Sequence, residues 1–218
     1  MRRTTAIVLL TLGFIAPAWA DTILHLSDTE TVMAHPDLLV ASLQAVASAN
    51  SAAAAQQQVN AAIAAALARA RQVPNVTVST QNYTAWQPKE HGQWQATQTL
   101  LLHSADGAAL LGLTGQLQAS GLAISELSWQ LSPEAARKAH DDAMREAISH
   151  LRARADEAAN LLGLRFESFQ KVSIGGPENF PVPRMMAMAA SAPTLPNAVA
   201  QDMPVSATAE ADAVLVPK

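Results

Sequence analysis

The stretch from Ser132 to Gly163 constrains this chain most, because it spells one long helix with both ends marked. Ser132 suits the N-cap, Pro133 the first helical position and Glu134 the positive end of the helix dipole. Gly163 supplies a left-handed stop. Between them Ala136, Ala139, Ala143, Met144, Ala147, Leu151, Ala155, Ala158 and Leu162 recur at helical spacing. Glu134–Lys138 and Asp141–Arg145 are expected as i,i+4 pairs on the opposite side. At about 1.5 Å per residue the helix, near 133–162, is on the order of 45 Å long. Its apolar stripe is mostly alanine, so its backbone can lie close to a flat partner, and a sheet is expected beneath it.

The 218 residues begin with Arg2 and Arg3, an apolar run from Ala6 to Ile15, and Ala18-Trp19-Ala20. That is the pattern of a secretory signal peptide over 1–20. The apolar run is too short to span a membrane comfortably. Without Arg2 and Arg3, 12 basic residues face 18 acidic ones, a net charge of −6 with His neutral. No basic stripe remains, so nucleic acid is not an expected partner. The chain has no cysteine, which excludes thiol chemistry, Cys-ligated zinc and iron–sulfur clusters. No later apolar run reaches membrane-spanning length, so no membrane span is expected in the mature chain.

Residues 21–218 read as one domain. Strands are expected over Ile23–Met33 and Leu38–Ser48, around a short turn at His35-Pro36-Asp37. Pro36 halts the first ladder, and Asp37 has the structural role of bonding its own backbone. A helix follows from Asn50 or Ser51 to Arg71, with Ala52, Ala55, Val59, Ile63, Leu67 and Ala70 as its stripe. Val76–Trp86 and Trp94–His103 form a hairpin whose Thr- and Gln-rich strands argue for one solvated face. Asp106 caps a helix over Gly107–Ala119 with Leu110, Leu113 and Leu117 inward. A strand over Ala123–Leu131 leads into the long helix. Leu164–Ile174 alternates Phe166, Ser168, Gln170 and Val172 against Arg165, Glu167, Phe169 and Lys171. Residues 175–204 form a Pro/Met-rich irregular loop, and Val205–Leu215 is the last strand. This order predicts an α+β fold, a largely antiparallel sheet with Ala-rich helices packed on one side.

Chemistry-bearing motifs are scarce. There is no Gly-x-Ser-x-Gly elbow and no His-Glu-x-x-His. His25, His35, His91, His103, His140 and His150 are scattered, and His140 and His150 stand about three turns apart, too far to chelate one ion. Asp141 and Asp142 point about 100° apart on their helix. Tyr83, Trp86 and Trp94 sit near the hairpin tip, where cross-strand packing is a commoner use than a binding platform. Met185, Met186, Met188 and Met203 offer thioethers, which favour Cu(I) and can absorb oxidants. The competing reading is that they are adaptable apolar contacts to a neighbouring subunit. No catalytic residue, cofactor or firm metal site is expected.

The element order, with Ala34-His35-Pro36-Asp37, Gly92-Gln93-Trp94-Gln95-Ala96, Gly121-Leu122-Ala123-Ile124 and Leu162-Gly163, resembles the SIMPL-domain family of bacterial envelope proteins. That family includes periplasmic immunogenic proteins and an oxidative-stress defence protein. The likeness spans roughly Ile23 to Leu215. One departure is Ser27-Asp28-Thr29-Glu30, where the family usually carries a Gly-x-Gly pattern in its first strand. The resemblance implies a non-enzymatic, periplasmic, self-associating protein that supports envelope or oxidative stress tolerance. The expected partner is a second copy, with other envelope proteins as further candidates. The alternative is a periplasmic ligand or copper carrier using the Met-rich loop.

Overall fold

The computed structural model describes residues 21–88, 92–175 and 198–218. The signal peptide expected over 1–20 and most of the Pro/Met-rich stretch, with Met185, Met186 and Met188, lie outside them. The described chain runs β1 (Thr22–Ala34), β2 (Leu38–Ala49), α1 (Ala52–Ala70), β3 (Thr77–Trp86), β4 (Trp94–Ser104), α2 (Gly107–Ala119), β5 (Ala123–Gln130), α3 (Pro133–Leu161), β6 (Leu164–Gly175) and β7 (Met203–Pro217). This is the α+β order read from the sequence, and every strand pairing is antiparallel. The irregular stretch is shorter than 175–204, because β6 keeps Gly175 and β7 begins at Met203, opposite Ala34.

The expected single sheet is divided in two: a three-stranded sheet, β1-β7-β6, and a four-stranded sheet, β3-β4-β2-β5. β1 and β2 therefore do not form a hairpin. Buried Pro36, which has no N–H to donate, lies where the chain leaves one sheet for the other.

The four-stranded sheet carries a leucine-filled core. Leu39, Ala41, Leu43 and Ala45 of β2 and Ala96, Leu100 and Leu102 of β4 are buried on one face. Val59 and Ile63 of α1 and Leu110, Leu113 and Leu117 of α2 complete the cluster. Ser51 caps α1 by accepting from the Ala54 N–H, and Asp106 caps α2 by accepting from Ala109. Gly121 (φ +100°) ends α2, with the Leu122 N–H returning to the Leu117 carbonyl at 3.2 Å. Gly107 opens α2 against the Trp129 ring, which a Cβ there would meet at 2.7 Å. The other face is the solvated one, where Thr77, Ser79, Gln81 and Thr84 are exposed.

The three-stranded sheet packs under α3 through alanine. Ala147, Leu151, Ala155 and Ala159 meet Leu26, Ala209, Ala213 and Leu215. The buried row steps mostly by four residues, inclined to the helix axis, so it ends on Ala159 where Ala158 was expected. Leu162, expected in the stripe, is the exposed C-cap. Arg145 pairs with Asp142 at 2.7 Å rather than with Asp141. β7 keeps its alternation, with Val205, Ala207, Ala209, Ala211 and Ala213 inward. β6 does not, because register shifts fall between Phe166 and Ser168 and between Gln170 and Ser173. Each inserted residue flips the face of those that follow. Phe166 and Phe169 thus pack against the same cluster, their ring centroids 4.8 Å apart.

The chain passes between the sheets at residues 35–37 and again before α3, and Asp37 joins these two passages. It accepts from the Ser132 backbone N–H at 2.6 Å and from the Ser132 hydroxyl at 2.8 Å. The Ser132 oxygen in turn caps α3 by accepting from Ala135. Burial pushes the Asp37 carboxyl up, but hydrogen bonds from Ser132 and from its own backbone outweigh that and hold it below 3.8. The self-bonding role expected of Asp37 is present, with a longer-range one added.

Candidate functional site

Titratable side chains converge where α3 crosses β1. On β1, Leu24, Leu26, Asp28, Glu30 and Val32 share the face toward α3, by the two-residue period of a strand. Leu24 and Leu26 join the apolar cluster, and the same face then turns acidic. On α3, His150 and Arg154 are one turn apart and flank the alanine row. Four helical residues advance about 6 Å and two strand residues about 6.6 Å, so the two pairs match in spacing.

Arg154 donates to the Asp28 carboxylate at 3.0 Å and to the Ser27 carbonyl at 2.8 Å. His150 Nδ1 bonds Glu30 and lies 3.7 Å from Asp28 Oδ2. Ligand atoms of Asp28, Glu30 and His150 all lie within 4.8 Å of one another. The Asp28 side chain is 17% exposed and that of Glu30 25%, whereas His150 is 57% exposed. Asp28 Oδ2 is buried, with no hydrogen-bond partner among the described residues. Two carboxylates, an imidazole and a guanidinium in this order can hold a proton or a cation.

Two other histidines meet one carboxylate each. His25 Nδ1 lies 2.8 Å from Asp212 on the opposite face of the sheet, where Lys171 also approaches at 3.6 Å. The hydrogen bond from His25, opposed by desolvation and helped by the Lys171 charge, holds the Asp212 carboxyl below its ordinary range. His35 meets Asp202 at 2.8 Å. Beside the convergent cluster, a groove of about 650 Å³ runs between the end of β1 and the first half of α3, with His35, Lys138, Asp142, Arg145 and Glu146 on its walls.

The residues singled out in the sequence fare differently. Met203 is half-buried at the start of β7, and its three companions are outside the described residues. Trp94 packs on the leucine-filled core, whereas Trp86 pairs with Gln95 on the opposite face, so these two aromatics share no platform. Tyr83 sits in a register shift of β3 and is exposed. His140 and His150 do stand apart, but His150 finds its partners on β1, some 120 residues away. Sequence reasoning missed Asp28, Glu30 and Arg154. Asp-x-Glu on a strand and His-x-x-x-Arg on a helix each put two groups on one face, and those local spacings were visible.

No curated protein matches this chain. The sequence profile of SIMPL, described as a protein of unknown function (DUF541), matches residues 24–214, a span running from β1 into β7. The chain belongs to the SIMPL family.

Proposed function

We propose that this protein is a non-catalytic, self-associating module exported to the periplasm, where it supports tolerance of envelope or oxidative stress. The observation that carries self-association is β3. It is an edge strand of ten residues, Thr77–Trp86, nearly all exposed, with no charged side chain and no proline. No described strand pairs with its outer side. An unguarded edge of this kind is a template for a strand from another chain. The alanine faces of α1 and α3 do not contribute, because the chain's own sheets cover them. Export rests on the leader read at 1–20, and the stress role on family likeness. Light scattering on residues 21–218 tests the association: a mass above one chain at micromolar concentration is expected, and a strict monomer would count against it.

A further inference from the structure

We propose that Asp28, Glu30 and His150 form a binding site for a divalent first-row metal ion, with zinc as its representative. The donor set is one imidazole nitrogen and two carboxylate oxygens, the mixed N/O chemistry that borderline divalent cations favour. With metal–ligand bonds near 2.0–2.2 Å, tetrahedral ligand atoms stand about 3.4 Å apart. His150 Nδ1 and Asp28 Oδ2 are already 3.7 Å apart, and no pair in the set exceeds 4.8 Å. Glu30 and His150 need only separate slightly to admit the ion.

Asp28 Oδ2 points most directly to a ligand. A buried carboxylate oxygen without a donor is a costly arrangement; this one has none among the described residues and lies within 4.8 Å of the other two ligand atoms. Its sister oxygen, Oδ1, is held by Arg154 at 3.0 Å, and the same guanidinium is anchored to the Ser27 carbonyl. Arg154 is thus a positioning residue that fixes the carboxylate plane and leaves Oδ2 free for a cation. Two carboxylates against one guanidinium leave a net charge of about −1 with the imidazole neutral, which suits a divalent ion. Binding displaces the proton between His150 and Glu30: Nδ1 gives up its proton while Nε2 takes one from solvent, so the imidazole stays neutral, and the Nδ1 and carboxylate lone pairs turn to the metal. The exposed side of His150 leaves room for water on the remaining coordination position. His25–Asp212 and His35–Asp202 offer one carboxylate each and lack this convergence.

The test is titration of residues 21–218, first stripped with a chelator, with zinc chloride by calorimetry. One saturable equivalent is expected. Glu30→Gln and His150→Gln are expected to weaken it at least about tenfold, the loss usual for a mere supporting partner. His25→Gln is the control and should bind as the unaltered chain does. Failure of the unaltered chain to bind one equivalent, or equal binding by Glu30→Gln and His150→Gln, overturns the site. Should either variant fail to fold by circular dichroism, thermal unfolding of the unaltered chain decides. Zinc should raise the midpoint reversibly to chelator, and an unmoved midpoint overturns the proposal.

Discussion

The two layers of this molecule are held together in different ways. Over the four-stranded sheet, Leu39, Leu43, Leu100, Leu102, Leu110, Leu113 and Leu117 are all essentially inaccessible, and large side chains separate helix from strand. Over the three-stranded sheet the contact is Ala147, Ala155 and Ala159 on Ala209 and Ala213. Alanine buries little area, worth on the order of 0.8 kcal/mol for each carbon group removed from water, so this layer has less hydrophobic stabilisation per contact. What it gains is proximity. A helix lying close to a sheet lets flanking side chains reach the strand, and His150 and Arg154 do so. The difference teaches that an alanine stripe sets a distance, and that polar chemistry gathers where that distance is short.

This contrast can be broken by exchanging side-chain sizes. Leu100→Ala empties a fully buried site and should cost about 2–5 kcal/mol in urea unfolding. Ala147→Leu makes the opposite change, in a layer with no room, and should cost about 1–3 kcal/mol. It should also pull α3 away from β1 and weaken the His150 and Arg154 contacts. A neutral or stabilising Ala147→Leu would mean that the alanine layer is loosely packed and that the distance argument is wrong.

Much of this architecture was legible in advance. The strong local signals, Ser132-Pro133, Gly163, Asp106 and the leucines of α2, placed the helices within a residue or two, because caps and periodicity act over a few positions. The alternation of β7 also survived, since an inner strand flanked on both sides has its register pinned. Division into two sheets was not legible, because it depends on whether β1 and β2 pair after Pro36, a contact that nothing local specifies. The bulges of β6 were hidden too, as strict alternation puts Phe169 on the face opposite Phe166 until an inserted residue turns it to the same side. The acid–histidine cluster needed a pairing over some 120 residues. The Ser27-Asp28-Thr29-Glu30 departure from the family pattern was visible, but not what it would meet.

Asp37 joins the two layers, and altering it sharpens the comparison with a smaller effect. Asp37→Asn should cost at most about 1 kcal/mol, since solvent reaches the group. Because the folded state holds this carboxyl below its ordinary value, its contribution is fully present above pH 3.8 and is lost as pH falls through the lower folded value. The stability of Asp37→Asn should therefore lie nearer to that of the unaltered chain at low pH than at neutral pH. A constant difference between the two across that range would show that the charge carries none of the effect.

The layers also differ at their edges. β1 and β6 carry charged side chains, among them Asp28, Glu30, Arg165, Glu167 and Lys171, whereas β3 carries none. Charges on an edge strand discourage pairing with another chain. The most direct measurement is the solution mass of residues 21–218 by light scattering, compared with a Ser79→Lys/Gln81→Lys double variant that puts charge on β3. The unaltered chain should exceed the mass of one chain and the variant should fall to it. A monomeric unaltered chain, or a variant that keeps the larger mass, would contradict association through this edge.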